Sequence, residues 1–502
     1  METGKQTLPG KLETFFEPFR QEIIGIDQTF ETPFGEKPLV YADWTASGRL
    51  YRPIETRLAE EIGAYVGNTH TETSITGHAM TQAYHEAKNL IKRHVGAHPR
   101  DVLISSNSGM TGVVNKFQRM LGLKVHERFS GQVKLPEHQR AVIFVSHMEH
   151  HSNQTSWLET LADVEVIHPD ADGNMDLGHL HELLDRYQDR ETRIAAITSC
   201  SNVTGAKTPY HDVAEIMHRH GGLCFVDFAA SAPYIDIVMR PEDPLRHLDA
   251  LYFSPHKFLG GPGTTGILVF DPKLYRNRVP DNPGGGTVNW TNPWGGHTYI
   301  EEIEAREDGG TPAFLQTIKV ALCIKLKEEM GTARMLAREK EMLQTIFRRF
   351  DQIPGLHMLA DNLRERLGIV SFYIDDLHYN LGVSLLNDRF GIQVRGGCSC
   401  AGTYGHYLLQ VSQEHSRSIT EAIDLGDLSA KPGWLRLSIH PVMTDAEIDY
   451  ICDAVEAVSK HHAAWSVDYA YNSHINEFSC RQAVNLEERL VRNWLQRPLH
   501  HT

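Results

Sequence analysis

Several stretches of the sequence set reactive side chains beside turns. In LDALYFSPHKFLGGPGTTG (248–266) an apolar run delivers Ser254, His256 and Lys257 to a glycine-rich turn. A lysine amine at a strand end can hold a cofactor aldehyde as a Schiff base; the bland alternative is a surface loop lysine. In LCFVDFAAS (223–231) Asp227 ends an apolar run. Carboxylates at strand ends meet ligands in α/β sheets, and a pyridinium nitrogen would be a fitting partner; the competing role is a helix N-cap. ISSNSGMTGVVNKF (104–117) passes through a small-residue turn into a helical pattern. That arrangement offers free N–H groups and a positive helix end to a phosphate. SHMEHHSNQTSW (146–157) carries Glu149, His150 and His151. An imidazole there could stack on a planar cofactor. A metal site is the alternative, but adjacent residues rarely reach one ion and the HExxH spacing is absent. In ITSCSNVTGAKTP (197–209) Asn202 could bond a ring hydroxyl.

VRGGCSCAGTYGH (394–406) surrounds Cys398 and Cys400 with Gly396, Gly397 and Gly402. A mobile loop beside Arg395 suits a nucleophilic cysteine, because cations favour the thiolate. A CxC metal site and inert thiols are the alternatives, and only His406 is close enough in sequence to add a ligand. The two cysteines are two residues apart, so an extended loop would point both thiols the same way. WLRLSIHP (434–441) puts Arg436 on a strand. There it could grip a substrate carboxylate with two parallel bonds or serve a structural ion pair.

Such residues need a scaffold. Seven short apolar runs, at 102–106, 141–147, 164–169, 194–200, 223–228, 250–254 and 265–270, mostly lack polar alternation, as strands buried on both faces do. Helical patterns lie between several of them, such as 210–222 with its Gly-Gly end. The alternation predicts βαβ units and a mostly parallel sheet. A Gly/Pro-rich region from Pro280 to Pro312 precedes two long helical patterns, and strand-like runs at 367–374 and 434–440 predict a second, α+β unit. The expected division is an arm over 1–40, a large domain over 41–312, a small domain over 313–460 carrying the cysteine loop, and an extension over 461–502 with a helix ended by Pro498.

Composition narrows the class. Across 502 residues, 41% hydrophobic and 23% charged usage excludes wholesale disorder. A formal charge of −15 argues against general nucleic-acid binding. No basic-then-apolar leader opens the chain, and it holds no run of about 20 apolar residues, so no membrane association is expected. Seven widely spaced cysteines, an odd count, do not suggest a disulfide framework. The expected setting is a reducing compartment, the cytoplasm.

Taken in order, the motifs resemble the class V aminotransferase family, in particular its cysteine desulfurase and selenocysteine lyase branch. YADWTAS (41–47) is similar to the family's opening Y-x-D-x-A-A-T segment, GNTHT (67–71) to its N-x-H loop, and MEHHSN (148–153) to its E-H-H-x-N stretch. SNVTG, VD-x-A, FSPHK, GGGT (284–287), GGTP (309–312) and RGGCSCA follow in the family's order. The resemblance implies an α/β, fold-type I (aspartate aminotransferase-like) scaffold with a large mostly parallel-sheet domain and a smaller α+β domain. It also implies pyridoxal 5′-phosphate (PLP) and a homodimer. Lys257 would hold PLP, Asp227 would pair with the ring nitrogen, His150 would stack on the ring, and Asn202 would contact its hydroxyl or the substrate. Ser254, His256 and the backbone at Gly109 and Met110 would hold the phosphate, and Thr287 would reach the phosphate of the neighbouring subunit. Arg436, with Arg395 and His70, would bind the substrate. Cys400 falls on the catalytic cysteine.

The implied activity is conversion of L-cysteine to L-alanine with a persulfide on Cys400, the sulfur then passing to a protein acceptor. Selenocysteine lyase, or transamination or β-elimination on another amino acid, are the alternatives. Three departures stand out. Ala230 occupies the place where the family has Gln. Gly109-Met110 replaces small hydroxyl residues. The stretch from Cys400 to Arg436 is long, with SITEAIDLGDLSAKPG (418–433) reading as a lid or lobe.

Overall fold

The seven apolar runs form a single sheet in the computed structural model, which describes residues 11–69, 73–482 and 485–499. Its strands are β1 (Val102–Ser106), β2 (Val142–Ser146), β3 (Asp163–Ile167), β4 (Arg193–Thr198), β5 (Leu223–Asp227), β6 (Ala250–Phe253) and β7 (Gly266–Phe270). Their spatial order is β1-β7-β6-β5-β4-β2-β3. Every residue of β2, β6 and β7 is buried, which is why these runs carry no polar alternation. Only β7 runs against its neighbours. The carboxyl ends of the other six therefore share one edge of the sheet, where α/β proteins bind ligands. Two helices start there: α1 (Gly109–Met120) after β1, and α2 (His151–Leu158) after β2.

Two long helices, α3 (Phe314–Met330) and α4 (Thr332–Phe350), lead into the second unit. Gly331, at φ +75°, turns the chain between them, a conformation that glycine adopts at no steric cost. An antiparallel sheet follows, made of β8 (Leu356–Met358), β9 (Ile369–Ile374), β10 (Arg395–Gly397) and β11 (Trp434–Ser438), in order β8-β9-β11-β10. Helices α5 (Tyr379–Phe390), α6 (Gly402–Leu408), α7 (Gln413–Asp424) and α8 (Asp445–Trp465) complete the unit. The long stretch after Cys400 is thus mostly α6 and α7.

The remaining segments tie onto this unit. In the arm, a helix over Lys11–Gln21 buries Phe16, and Arg20 donates to both oxygens of Glu447 on α8 at 2.7 and 2.9 Å. Val40–Tyr41 pairs in parallel with Ile392–Gln393, and Asp43 bridges to Ser438. In the tail, a hairpin of Tyr469–Asn472 and Glu477–Cys480 docks on α5, where the Asn476 amide donates to the Tyr379 hydroxyl at 2.6 Å. A last helix spans Leu486–Gln496, ahead of Pro498. The Gly/Pro-rich region holds a further hairpin, Val288–Thr291 with His297–Tyr299, that periodicity did not announce.

One glycine contact positions the sheet edge directly. A Cβ on Gly266, the first residue of β7, would lie 2.1 Å from the carbonyl carbon of Gly109. Backbone cannot move aside as a side chain can. Gly266→Ala is therefore expected to lower stability by about 1–3 kcal/mol, read as a lower denaturation midpoint, and to weaken any ligand held at Gly109. Gly284→Ala, whose Cβ would meet nothing within 4 Å, is the control.

Candidate active site

At the shared strand edge, β6 ends at Phe253 and a short turn over Pro255–Lys257 carries the lysine past the sheet. A cavity of about 230 Å³ opens there. Lys257, Asp227, His150, Asn202, Ser254 and His256 line it, with Gly109 and Met110 from the start of α1. Arg395 and Arg436 enter from the second unit, directly opposite each other across the β10–β11 pair. Residues separated by hundreds of positions thus meet because strand ends of one sheet face the edge of the other.

Burial sets the electrostatics. It pushes the Lys257 amine down to about 8, against the pull of the Asp227 charge. It pushes Asp227 up to about 6, opposed by the Ala229 N–H bonded at 2.7 Å and by Lys257. His150 is driven down to about 3 by burial and then by the Lys257 charge, so it is a neutral imidazole. Its Nδ1 accepts the Ser152 N–H at 3.1 Å and caps α2. Burial and the Lys257 charge push His256 down to about 4.

A buried network under the site escaped sequence reasoning. Burial pushes Glu149 up to about 8. It accepts from the Ser146 hydroxyl at 2.5 Å, the Asn153 amide at 2.7 Å and the Thr198 N–H at 2.8 Å. Asn153 also bonds Ala196, Trp157 and Tyr252. These bonds lock the turn carrying His150 to β4 and β6. The clue was the Glu and Asn flanking the two histidines, polar residues set against apolar runs.

The cysteine segment differs from the expected extended loop. Beyond β10 the chain makes a β-turn, with the Ala401 N–H donating to the Cys398 carbonyl at 3.0 Å. Ser399 and Cys400 occupy its centre at φ +51° and +58°, the sign pattern of a type I′ turn. Left-handed backbone costs a non-glycine residue about 1–2 kcal/mol. The two cysteines consequently do not share an orientation. Cys398 packs against the core, while Cys400 Sγ sits 3.7 Å from an Arg395 Nη. The Asn202 amide donates to the Ser399 carbonyl at 2.7 Å.

Arg436 is not a free fork. One Nη donates to Asp43 at 2.7 Å and the other to the Asn202 carbonyl at 3.1 Å. Its Nε is buried without a partner, as are Asn202 Oδ1, Thr45 Oγ1 and Ser399 Oγ, all on residues of the cavity wall. Leaving a buried polar atom unsatisfied costs about 1–3 kcal/mol, so these four atoms mark where the wall is short of polar partners. Thr45 stands where the resembled segment has Ala. Ala229 and Ala230 form another part of the wall, and the Ser231 hydroxyl is engaged by Ser199 at 2.5 Å. Cys200 also lines the cavity, but burial pushes its thiol up to about 12.

Among the described residues, two expected site residues, Cys400 and Thr287, are not in the wall, although Ser399 beside Cys400 is. Thr287 is buried in its own turn, its hydroxyl donating to the Gly284 carbonyl at 2.7 Å. His70 lies outside the described residues. Among the described residues, a cluster with metal-ligating side chains stands elsewhere, at His218, His247 and Asp249, where Lys273 already places a cation 2.8 Å from the carboxylate.

The model of the family Aminotransferase class-V matches residues 40–451. A probable cysteine desulfurase of Halalkalibacterium halodurans is 28% identical over 368 residues, covering 72% of this chain and 84% of the relative. Another, of Streptomyces coelicolor, is 25% identical over 457 residues, covering 90% and 98%. An apo cysteine desulfurase structure from Thermococcus onnurineus has a TM-score of 0.70 at 21% identity, covering 91% of this chain and 100% of that one. The family match takes in the large sheet, the lysine turn and the cysteine strand together, and the chain belongs to the class-V aminotransferase family.

Proposed function

We propose that this protein is a PLP-dependent cysteine desulfurase, converting L-cysteine to L-alanine and receiving the sulfur on Cys400. The observation that carries this reading is the cysteine turn pinned at the wall of the lysine cavity, with Cys400 beside Arg395. Relatives named as probable cysteine desulfurases, matched over most of their length, support it.

The residues fit the cofactor. Lys257 offers an amine to an aldehyde, Asp227 a buried carboxylate to a ring cation, and His150 a neutral imidazole to the ring face. Ser254, His256 and the N–H groups at Gly109 and Met110 offer donors to a phosphate, and Asn202 Oδ1 is free for a ring hydroxyl or the substrate. When bound, PLP supplies a conjugated sink for electrons from the substrate's α- and β-carbons. Lys257, with its amine depressed to about 8, is matched to take and return a proton near neutral pH. The unpartnered Arg436 Nε and the second N–H of each Nη are the donors left for the substrate carboxylate. Cys400 Sγ then attacks the substrate sulfur: the S–S bond forms as the Cβ–S bond breaks, and the carbon side keeps the electron pair, gains a proton and leaves as alanine.

In this reading the protein is a homodimer in which Thr287 approaches the partner's phosphate, and a protein acceptor takes the sulfur. Seven free thiols fit a cytoplasmic setting. Among the described residues, no helix is long and apolar enough to cross a membrane. The test is incubation with L-cysteine, expected to release alanine in step with protein-bound persulfide. A keto acid, or sulfide with no protein-bound sulfur, would assign transamination or elimination instead.

A further inference from the structure

The two histidines after β2 divide their work. His150 lines the cavity and His151 does not. Their ring centroids lie 6.3 Å apart, tilted by 49°. His151 turns instead to the cysteine segment. Its backbone N–H donates to the Cys400 carbonyl at 2.8 Å, and its Nε2 accepts the Gly402 N–H at 3.0 Å. One residue thus grips the chain on both sides of Ala401. Gly402 permits the approach, since a Cβ there would lie 3.3 Å from Nε2. One turn further along α2, Gln154 accepts from the Thr403 hydroxyl at 2.7 Å.

The grip matters because the turn is strained. Ser399 and Cys400 are both left-handed and neither is glycine. Such conformations persist only where the surroundings over-determine them, and they gather at functional sites. The bonds from His151 and Asn202 come from the large-sheet unit, whereas the turn belongs to the second. Arg395 touches Cys400 Sγ only at 3.7 Å.

We infer that His151 is a positioning residue, an imidazole clasp that holds the Cys400 turn at the cavity. It acts through the backbone of Cys400 and Gly402. The chemistry it needs is an acceptor at Nε2: glutamine can supply one through its amide oxygen, and leucine cannot. The kinetic part rests on the desulfurase reading; the conformational part does not.

The test uses the full chain as wild type, His151→Leu and His151→Gln. Alkylation by iodoacetamide is followed residue by residue by mass spectrometry, with half-buried Cys480 of the tail hairpin as internal reference. His151→Leu is expected to label Cys400 about tenfold faster, the effect of losing roughly one hydrogen bond, while Cys480 is unchanged and His151→Gln stays near wild type. With PLP and L-cysteine, first-turnover persulfide should slow about tenfold in His151→Leu, with the visible absorbance of the bound cofactor unchanged. Equal Cys400 labelling in wild type and His151→Leu would overturn the clasp, and so would His151→Gln behaving like His151→Leu. Hydrogen exchange on the wild type gives a check that needs no variant. The Gly402 amide should be protected, and free exchange there would sink the proposal. If the protein is no desulfurase, the labelling and exchange results still decide the clasp.

Discussion

Replacing Lys257 with alanine should abolish alanine release and end covalent trapping of the cofactor by borohydride. In the wild type, reduction should leave a modified peptide at Lys257 and bleach the visible band. The end of β6 sets a partly buried amine, with its proton affinity lowered to about 8, against a buried carboxylate. Loss of a positioned acid–base group alone removes about 10²–10⁴-fold of rate, and here the same amine also holds the cofactor. Asp227→Ala is a milder change with a different signature. Some PLP should remain bound, but turnover should nearly vanish, because the ring nitrogen loses its counter-charge. A protein that stays colourless with added PLP would remove the basis for the whole reading.

The second large effect concerns the thiols. Cys400→Ser is expected to eliminate persulfide formation and desulfuration, with the cofactor spectrum intact. Serine keeps the shape of the turn but lacks a sulfur to attack with. Cys398→Ser should retain first-turnover persulfide, since Cys398 packs against the core while Cys400 sits beside Arg395. Mass spectrometry of the protein after one equivalent of L-cysteine separates the two. Loss of the first-turnover persulfide in Cys398→Ser alone would move the nucleophile to that residue. Turnover of an amino acid in both variants would point to a transaminase or lyase.

The parts of this architecture that periodicity made legible were those built from long apolar runs. All seven runs became strands of the large sheet, and Lys257, Asp227, Asn202 and His150 converged because each follows or ends a strand pointing the same way. Features that depend on contacts distant in sequence stayed hidden. Nothing near Arg436 signals that Asp43 takes one of its nitrogens, because the two are 393 residues apart. The left-handed turn falls on Ser399 and Cys400, residues with no glycine-like preference, so an extended loop was the natural expectation. The hairpin inside 280–312 is short and rich in glycine, and it carries no alternation strong enough to read. Thr287 was placed by resemblance to a family pattern, and within one chain its hydroxyl bonds only Gly284 of its own turn.

The pairing of residues 40–45 with the second unit also bears on how the protein is made. Asp43 and Thr45 find their partners, Arg436 and Ser438, only after a further 393 residues have been synthesised. At about 5–20 residues per second this is a wait of roughly 20–80 s on the ribosome. The large sheet can form in that interval, and Gly48 can already bond the His256 carbonyl. The wall containing Thr45, Arg436 and the cysteine turn cannot. The lysine pocket therefore stays open on one side until the segment from Arg395 to Arg436 emerges. A nascent chain stalled before Arg395 would have its lysine in place and no nucleophile, so cofactor capture can precede the completion of a sulfur-competent site.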